Sequence, residues 1–572
     1  MQAQTKIEND KKEVGPVSLP KTLCLLQITR TGDVIQTLQV AKELRQGHKD
    51  VRLILVARKQ FAFALDFILK EYFDKIVYLD FKSFLIEDDF AIANEHLTTF
   101  LEELSTENIS VVVNLSFSKS SSLLSSLIPA THKLGPFHGV DGNLRIADRW
   151  SKYIYSTVMS GPLNPFSLVD IYKKIMGVEY PSMYETSNRT GRRVRNIVIH
   201  PFASAAKKFW KPTKWSEVIL KLLKDNSAVN LSIVGSAEEM EFADKILENP
   251  LLRPFSARIN NLVGQTSLQQ LFLMMEKGTD LFIGHDSMVG HIAAFYGVQT
   301  VSVALGTVRP IETVPYGKEN YSIAPRTKCF PCFPSDACSY FQCHAEIPFQ
   351  ALVSVVSQII KTGLVSREEL EKDVSAFHLN AVDVRQTRFS EQGLLDFQAI
   401  TSEQLSLADI LRKLYRILWL YAFEECEERQ SFPMLTSGAH AEILHYFDGL
   451  KHLYELNEFG KKYSRFILEE IGSKTPSISK MRDFSGKIDE IDKLQNIIKD
   501  HYPGLSPFIN YFNLVKGNLE GNNIVEIAEN SFLAYHAHTS LVSGLYELME
   551  KIVAEYKHLS AKNSSATPRA GA

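Results

Sequence analysis

The feature that most restricts how this chain can fold is an alternation that runs twice. Between Lys21 and about Pro165, the apolar runs TLCLLQI, VRLILVAR, KIVYL and ISVVVNLSF are separated by stretches with apolar residues at helical spacing. Such runs fit strands buried on both faces, and strands alternating with helices predict a parallel sheet wrapped by helices. The pattern breaks over SGPLNPFSLVDIYKKIMGVEYPSMYETSNRTGRR, then restarts as NIVIHPF, NLSIVG, LFIGHDS and TVSVAL. The expectation is an α/β protein with two facing Rossmann-like domains, 21–165 and 195–363, joined by an irregular connector, 166–194. Ligands of such sheets bind beyond the carboxyl ends of the strands, so candidate residues are sought in the loops that follow them.

After Gly363 the strand-type runs stop, and residues 364–558 are expected to form an all-α accessory region. In SLADILRKLYRILWLYAFEE, Leu407, Ile410, Leu411, Leu414, Leu418 and Tyr421 share one face, and Ser406 with Asp409 suits a helix start. NSFLAYHAHTSLVSGLYELMEKIVAEYKHL reads as a second long helix, and no repeat of fixed period is found. Residues 1–20 are polar and read as a flexible lead. Residues 559–572 have the composition of a disordered tail. At 572 residues the chain is too long for one core, and 45% hydrophobic with 23% charged residues is ordinary for a globular protein. A net charge of −3 gives no reason to expect a nucleic-acid partner. No apolar run approaches the roughly 18–20 residues of a membrane span, and the first residues lack the apolar core of a signal peptide. A cytoplasmic protein is expected.

Chemistry-bearing residues cluster where strands give way to helices. In ITRTGDVIQTL, Asp33 stands at the mouth of a helix that follows a strand and a Gly, as a helix cap or as a base at the floor of a cleft. In HPFASAAKKFWKPTKW, small residues around Ser204 allow close backbone approach to a phosphate, and Lys208 supplies charge; an ordinary loop with a solvated lysine pair is the plainer reading. In GSAEEMEFA, Glu238 and Glu239 follow a strand end, placed to hold a ribose diol or to complement a helix dipole. In GHDSMVGHIAAFYGV, Asp286 and Ser287 open a helix carrying Met288 and His291. That is an anion-type helix start, with the histidine either functional or packed in the core. Four of the six cysteines, Cys329, Cys332, Cys338 and Cys343, fall in CFPCFPSDACSYFQC. Four thiolates so close together suit a structural Zn or Fe, closed to catalysis, or remain reduced structural thiols. Cys24 and Cys426 read as isolated thiols.

Taken in order, TRTGDVIQTL, HPFASAAKKFW with its following Trp, GSAEEMEFA, NNLVGQTSLQQL, DLFIGHDSMVGHIAAFYGV and the cysteine segment resemble the motif set of the bacterial heptosyltransferases, glycosyltransferase family nine. The resemblance spans about Lys21 to Gly363. It implies a GT-B fold and an inverting sugar transfer from a nucleotide sugar, with ADP-heptose as the family donor. The acceptor would be a lipopolysaccharide core or a protein hydroxyl. It further implies Asp33 as general base, Lys208 on the donor phosphate or sugar, Glu238 on the ribose, and Asp286, Ser287, Met288 and His291 around the diphosphate and its sugar. The cysteine segment is similar to an iron-binding finger in the branch that glycosylates autotransporter proteins. No catalytic divalent metal is expected. The chain departs from the family at Phe202 and Met288, where Gly is usual, and Met288 is expected to crowd the diphosphate or reshape the sugar pocket. Arg30, Lys119, Lys133 and Arg145 are candidate cations for the acceptor. The helical part is expected to serve assembly, a homo-oligomer included, and a glycolipid acceptor would bring peripheral contact with the inner membrane. A nucleotide-sugar epimerase and a non-catalytic sugar-nucleotide scaffold are the rival readings.

Overall fold

The computed structural model describes residues 21–80, 90–157, 163–177, 193–333, 335–401, 405–428, 430, 432 and 437–565. The expected lead, 1–20, lies outside them. The chain forms two compact units, one holding most of the chain up to Arg145, the other holding Thr31–Gln39 together with the chain from Ile146 on.

The first unit is built on a five-stranded parallel sheet of β1 (Thr22–Gln27), β2 (Arg52–Arg58), β3 (Lys75–Leu79), β4 (Val111–Asn114) and β5 (His132–Leu134), in the order β3-β2-β1-β4-β5. Every residue of β1 is buried, as a central strand covered on both faces requires. Cys24 lies in that core, where burial pushes its thiol up to about 12, so it is inert, as its isolation in the sequence suggests. Two candidate cations of this unit are committed to structure. Lys133 donates to the carbonyls of Ser125, Ser126 and Ile128, closing the end of the helix Lys119–Leu127. Arg145 pairs with Asp141 at 2.8 Å. A two-stranded ribbon, β6 (Pro136–His138) and β7 (Leu144–Ile146), follows the sheet.

The second unit carries an eight-stranded sheet: β8 (Asn196–His200), β9 (Asn230–Ile233), β10 (Ile259–Asn261), β11 (Leu281–His285), β12 (Gln299–Val303), β13 (Tyr321–Pro325), β14 (Val382–Phe389) and β15 (Leu395–Ala399). Its order is β10-β9-β8-β11-β12-β13-β14-β15, parallel as far as β13 and antiparallel beyond it. The strands therefore do not stop at Gly363, and the helical part begins at Leu407 rather than at 364. VDVRQTRF alternates apolar and charged residues with buried Val382, Val384 and Thr387, a half-exposed strand that a search for continuous apolar runs passes over. The described first part of the connector, 166–177, contains a helix, and residues 178–192 lie outside the described residues. That helix, Leu168–Ile175, carries the buried Asp170, which accepts from Tyr316 Oη at 2.5 Å and from the Leu395 backbone N–H at 2.8 Å. Burial, outweighing its partners, raises the pKa of that carboxyl.

The helix Leu407–Glu424 starts at the Ser406–Asp409 capping box read from the sequence. Trp419 and Phe423 on it pack against Tyr153, Phe508 and Tyr511, and Trp150 Nε1 donates to Glu424 Oε1 at 2.6 Å. Beyond it run the helices Ser437–Ile471, Ile478–His501, Ser506–Gly517 and Ile524–Ser565. At the Ser437–Ile471 and Ile524–Ser565 crossing, Gly460 is required: a Cβ there would come within 2.3 Å of the Tyr535 ring. The last helix continues to Ser565, so the tail expected from 559 is helical over its first part. Residues 566–572 lie outside the described residues. Among the described residues no helix is long and apolar enough to cross a membrane.

Candidate functional site

The site is assembled at the carboxyl ends of β8, β9 and β11. Its keystone is a residue the motif reading passed over. His285 closes β11 and is fully buried; its Nε2 lies 3.1 Å from the Trp210 backbone N and 3.2 Å from Trp215 Nε1. Both of those are N–H donors, so Nε2 must accept, and the ring proton sits on Nδ1, which donates to Val303 O at 3.1 Å. Burial pushes this imidazole down to about 3 and keeps it neutral. One ring thereby ties the loop after β8, and the helix Pro212–Asp225 that follows it, to the middle of the sheet, and each carries a fully buried tryptophan. Gly306, with φ +62, lets the same loop approach closely, since a Cβ there would stand 2.4 Å from Lys207 O.

Lys208 is thus held on a short turn, Ala206–Lys208, with Nζ 3.2 Å from Asp286 Oδ2. The two side chains are 17% and 15% exposed, enough shielding for the pair to matter more than a surface ion pair. Asp286 follows β11 directly, and Ser287 is the N-cap of the helix Met288–Phe295. The Ser287 hydroxyl does not cap that helix. It lies 3.0 Å from His200 Nδ1, which leaves the first turn without a side-chain acceptor for its N–H groups. His200 closes β8 as His285 closes β11, and burial lowers it to about 4. Its ring meets Phe202 edge-on, and Glu239 Oε2 stands 3.9 Å from its Nε2.

The two glutamates after β9 divide their work. Glu239 accepts from the Ser236 backbone N–H at 2.7 Å in a capping box, and burial raises its pKa. Glu238 is exposed, its carboxyl held below its usual value by its own backbone N–H and by the Ser236 hydroxyl. Gly235 makes room for this turn, because a Cβ would stand 2.6 Å from Phe202 and 2.8 Å from Glu239 Oε2. Phe202 itself is 2% exposed in the sheet core, edge-on to Phe242. Met288 is partly buried at the helix start, and Ser204 is exposed in the loop after β8.

Asp33 is the third residue of the helix Thr31–Gly47, inside its first turn and not at its N-cap. The start of that helix leans on His291: a Cβ on Gly32 would stand 3.8 Å from the His291 ring, and Gln36 Nε2 is 3.5 Å from His291 Nε2. Burial lowers the pKa of His291, against the opposing pull of the Asp286 and Asp33 carboxylates. Asp33, Lys208, Asp286, Ser287 and His291 are therefore brought together, with Glu238 on the neighbouring strand end. Gln36, His200 and His285 belong to the same arrangement and were missed. A histidine as the last residue of a buried strand was the available signal.

The cysteine segment braces this site. His344 Nε2 lies 3.0 Å from Lys207 O, the Cys332 N–H donates to Gly306 O at 2.9 Å, and Lys214 Nζ donates to Ile347 O at 2.6 Å. All six cysteines are free thiols; Cys343 is buried, Cys332 half-buried, and Cys329 and Cys338 exposed. Burial, then the neighbouring cysteines, raise Cys332. Among the described residues no three His, Cys, Asp or Glu side chains are grouped so as to hold a metal ion, so as placed these four do not fit the expected Fe or Zn site.

The comparisons with known proteins agree with one another. Residues 99–340 match the model of glycosyltransferase family 9 (heptosyltransferase). The lipopolysaccharide heptosyltransferase 3 of Escherichia coli K12 is 24% identical over 300 residues, 48% of this chain and 79% of that protein. The lipopolysaccharide core heptosyltransferase OpsX of Haemophilus influenzae is 23% identical over 308 residues, 52% and 82% of the two chains. The solved E. coli ADP-heptose lps heptosyltransferase II is 16% identical, with a TM-score of 0.43 over 59% of this chain and 98% of that one.

Proposed function

We propose that this chain, whose residues 99–340 match glycosyltransferase family 9, is a glycosyltransferase that moves a heptose, with inversion, from an ADP-heptose-type donor to a hydroxyl of a glycolipid core or a protein. The observation that carries this reading is the meeting of Asp33 with Lys208, Asp286 and His291 within one compact unit.

In the proposed reaction the donor diphosphate lies at the start of the helix Met288–Phe295. The uncapped N–H groups and the helix dipole face it there, and Lys208, held by Asp286, swings its charge onto the leaving phosphate. Asp286 accepts from sugar hydroxyls, Ser204 lets the loop backbone approach the donor, and Glu238 takes the ribose diol. Met288, beside the diphosphate, shapes the sugar pocket. Asp33 removes the acceptor proton as the acceptor oxygen bonds to the anomeric carbon. The bond from that carbon to the phosphate oxygen breaks on the opposite face, and the nucleoside diphosphate leaves with the electron pair. The neutral His291 orients the floor of the site without competing for that proton. A cytoplasmic location, with peripheral membrane contact if the acceptor is a glycolipid, is part of the same proposal, as is assembly through the helical region.

A thermal-shift panel of ADP, UDP, GDP and CMP with their sugar conjugates tests the donor. A ligand at 100 times its dissociation constant stabilises the fold by about 2.7 kcal/mol. A shift confined to ADP compounds supports the reading. A shift with another base keeps the transferase and replaces the donor, and no shift with any of them overturns it.

A further inference from the structure

We propose that a cavity beside β13, roofed by β14, β15 and the start of the helix Leu407–Glu424, binds a small polyanion whose charge is carried by phosphate groups. Its volume is about 570 Å³, within the range that encloses a metabolite-sized ligand. None of the residues assigned to the proposed donor site lines it.

The case rests on a charge balance that the cavity does not close by itself. Seven lining side chains are Lys or Arg and four are Asp or Glu; behind the wall the buried Glu428 takes Arg416 at 2.6 Å, and Glu312 takes Arg309 at 3.4 Å, so seven cations meet five acids. The acids are shared: Asp409 is bonded by both Arg385 and Arg412, and Asp383 serves Arg385 at 2.5 Å and Arg326 at 3.9 Å. Arg388 takes Asp396 at 3.0 Å. Lys413 is held by a neutral oxygen, Gln430 Oε1 at 3.0 Å. Burial lowers its pKa, and Arg388 and Arg385 push the same way against Asp396 and Asp409. Structural ion-pair networks offset each cation with an acid, because like charges in a poorly hydrated cleft repel. Here cations converge from three elements on a space large enough for a ligand. Planar guanidinium groups match phosphate oxygens two at a time, so a phosphate-bearing molecule supplies the missing charge and geometry together. Phe397 and the prolines of the wall leave an apolar face for the body of such a ligand.

The test is calorimetric titration of inorganic pyrophosphate into the full chain saturated with ADP, at constant ionic strength, for wild type, Lys413→Gln and Arg326→Gln. The expected result is saturable binding by wild type, weakened at least tenfold in either variant, with ADP affinity unchanged. Equal titrations in wild type and variants, or no saturable binding to wild type, overturn the proposal. If Lys413→Gln fails to fold, the exposed Arg326 carries the test alone. Loss of ADP binding by the wild-type chain would count against the donor reading and leave this one standing on its pyrophosphate isotherm. A parallel arm sediments the chain with phosphatidylglycerol vesicles. Co-sedimentation lost in Lys413→Gln assigns the phosphate to a lipid headgroup. Pyrophosphate binding without it assigns a soluble ligand.

Discussion

The ends of β8 and β11 and the cavity beside β13 belong to one sheet, and they are built on opposite principles. At the first, two buried histidines are neutral and each bonds to its surroundings, and Lys208 is matched by Asp286. At the second, cations crowd a cavity and share too few acids. The difference separates two ways of making a polar site. Imidazoles with fixed tautomers set the shape of a loop and cost little while they stay neutral. Converging arginines set a potential and leave the shape to whatever fills it.

The largest effect that would sharpen this contrast is catalytic. Asp33→Asn should lower turnover by roughly 10²- to 10⁴-fold, the usual worth of general-base help, while ADP compounds still shift the melting point. A parallel loss of nucleotide binding would reduce Asp33 to a structural residue. Next comes the keystone. His285→Phe strands the Trp210 N–H, the Trp215 Nε1–H and Val303 O in the core, and should cost about 3 kcal/mol in a denaturant titration. Lys413→Gln, on the charged side of the comparison, should change stability by much less.

Acid should distinguish the two regions as well. His200 is lowered to about 4 and His285 to about 3, so between those values and 6.5 the unfolded chain binds protons that the folded chain does not. Stability therefore rises with pH through that window and is fully present above 6.5. By pH 5 each such histidine should have removed roughly 2 kcal/mol, readable as a fall in the denaturant midpoint that is smaller in His285→Phe. A midpoint unchanged from pH 7 to pH 5 would mean the rings are not sealed. Smaller still is the split of the glutamates. Glu238→Gln should weaken nucleotide binding a few-fold at unchanged stability, whereas Glu239→Ala should lower stability by about 1 kcal/mol through its cap. The smallest effect expected is that of EDTA, which should leave the chemical step intact.

Much of this was legible in the chain. TLCLLQI, NIVIHPF and LFIGHDS are buried on both faces in the structure, and Ser406 with Asp409 opens its helix as read. VDVRQTRF was not legible as a strand, because its partner Tyr321–Pro325 lies some sixty residues away and pairing alone makes a strand of a charged alternation. The same limit hid His200 and His285, whose importance depends on which N–H groups and hydroxyls fold back onto them.

By itself the sequence determined the alternation of strands and helices, the loops in which chemistry could reside, and the family whose motifs those loops resemble. These rest on local periodicity and on short motifs, which neighbouring residues decide. Only the tertiary structure decided that Glu239 is a cap while Glu238 faces outward, that Lys208 rests on Asp286, and that Lys133 closes a helix. It also gathered seven cations around one cavity from segments up to a hundred residues apart. Side-chain charge and hydrogen bonding act across space, and their outcome depends on distances that chain order does not contain.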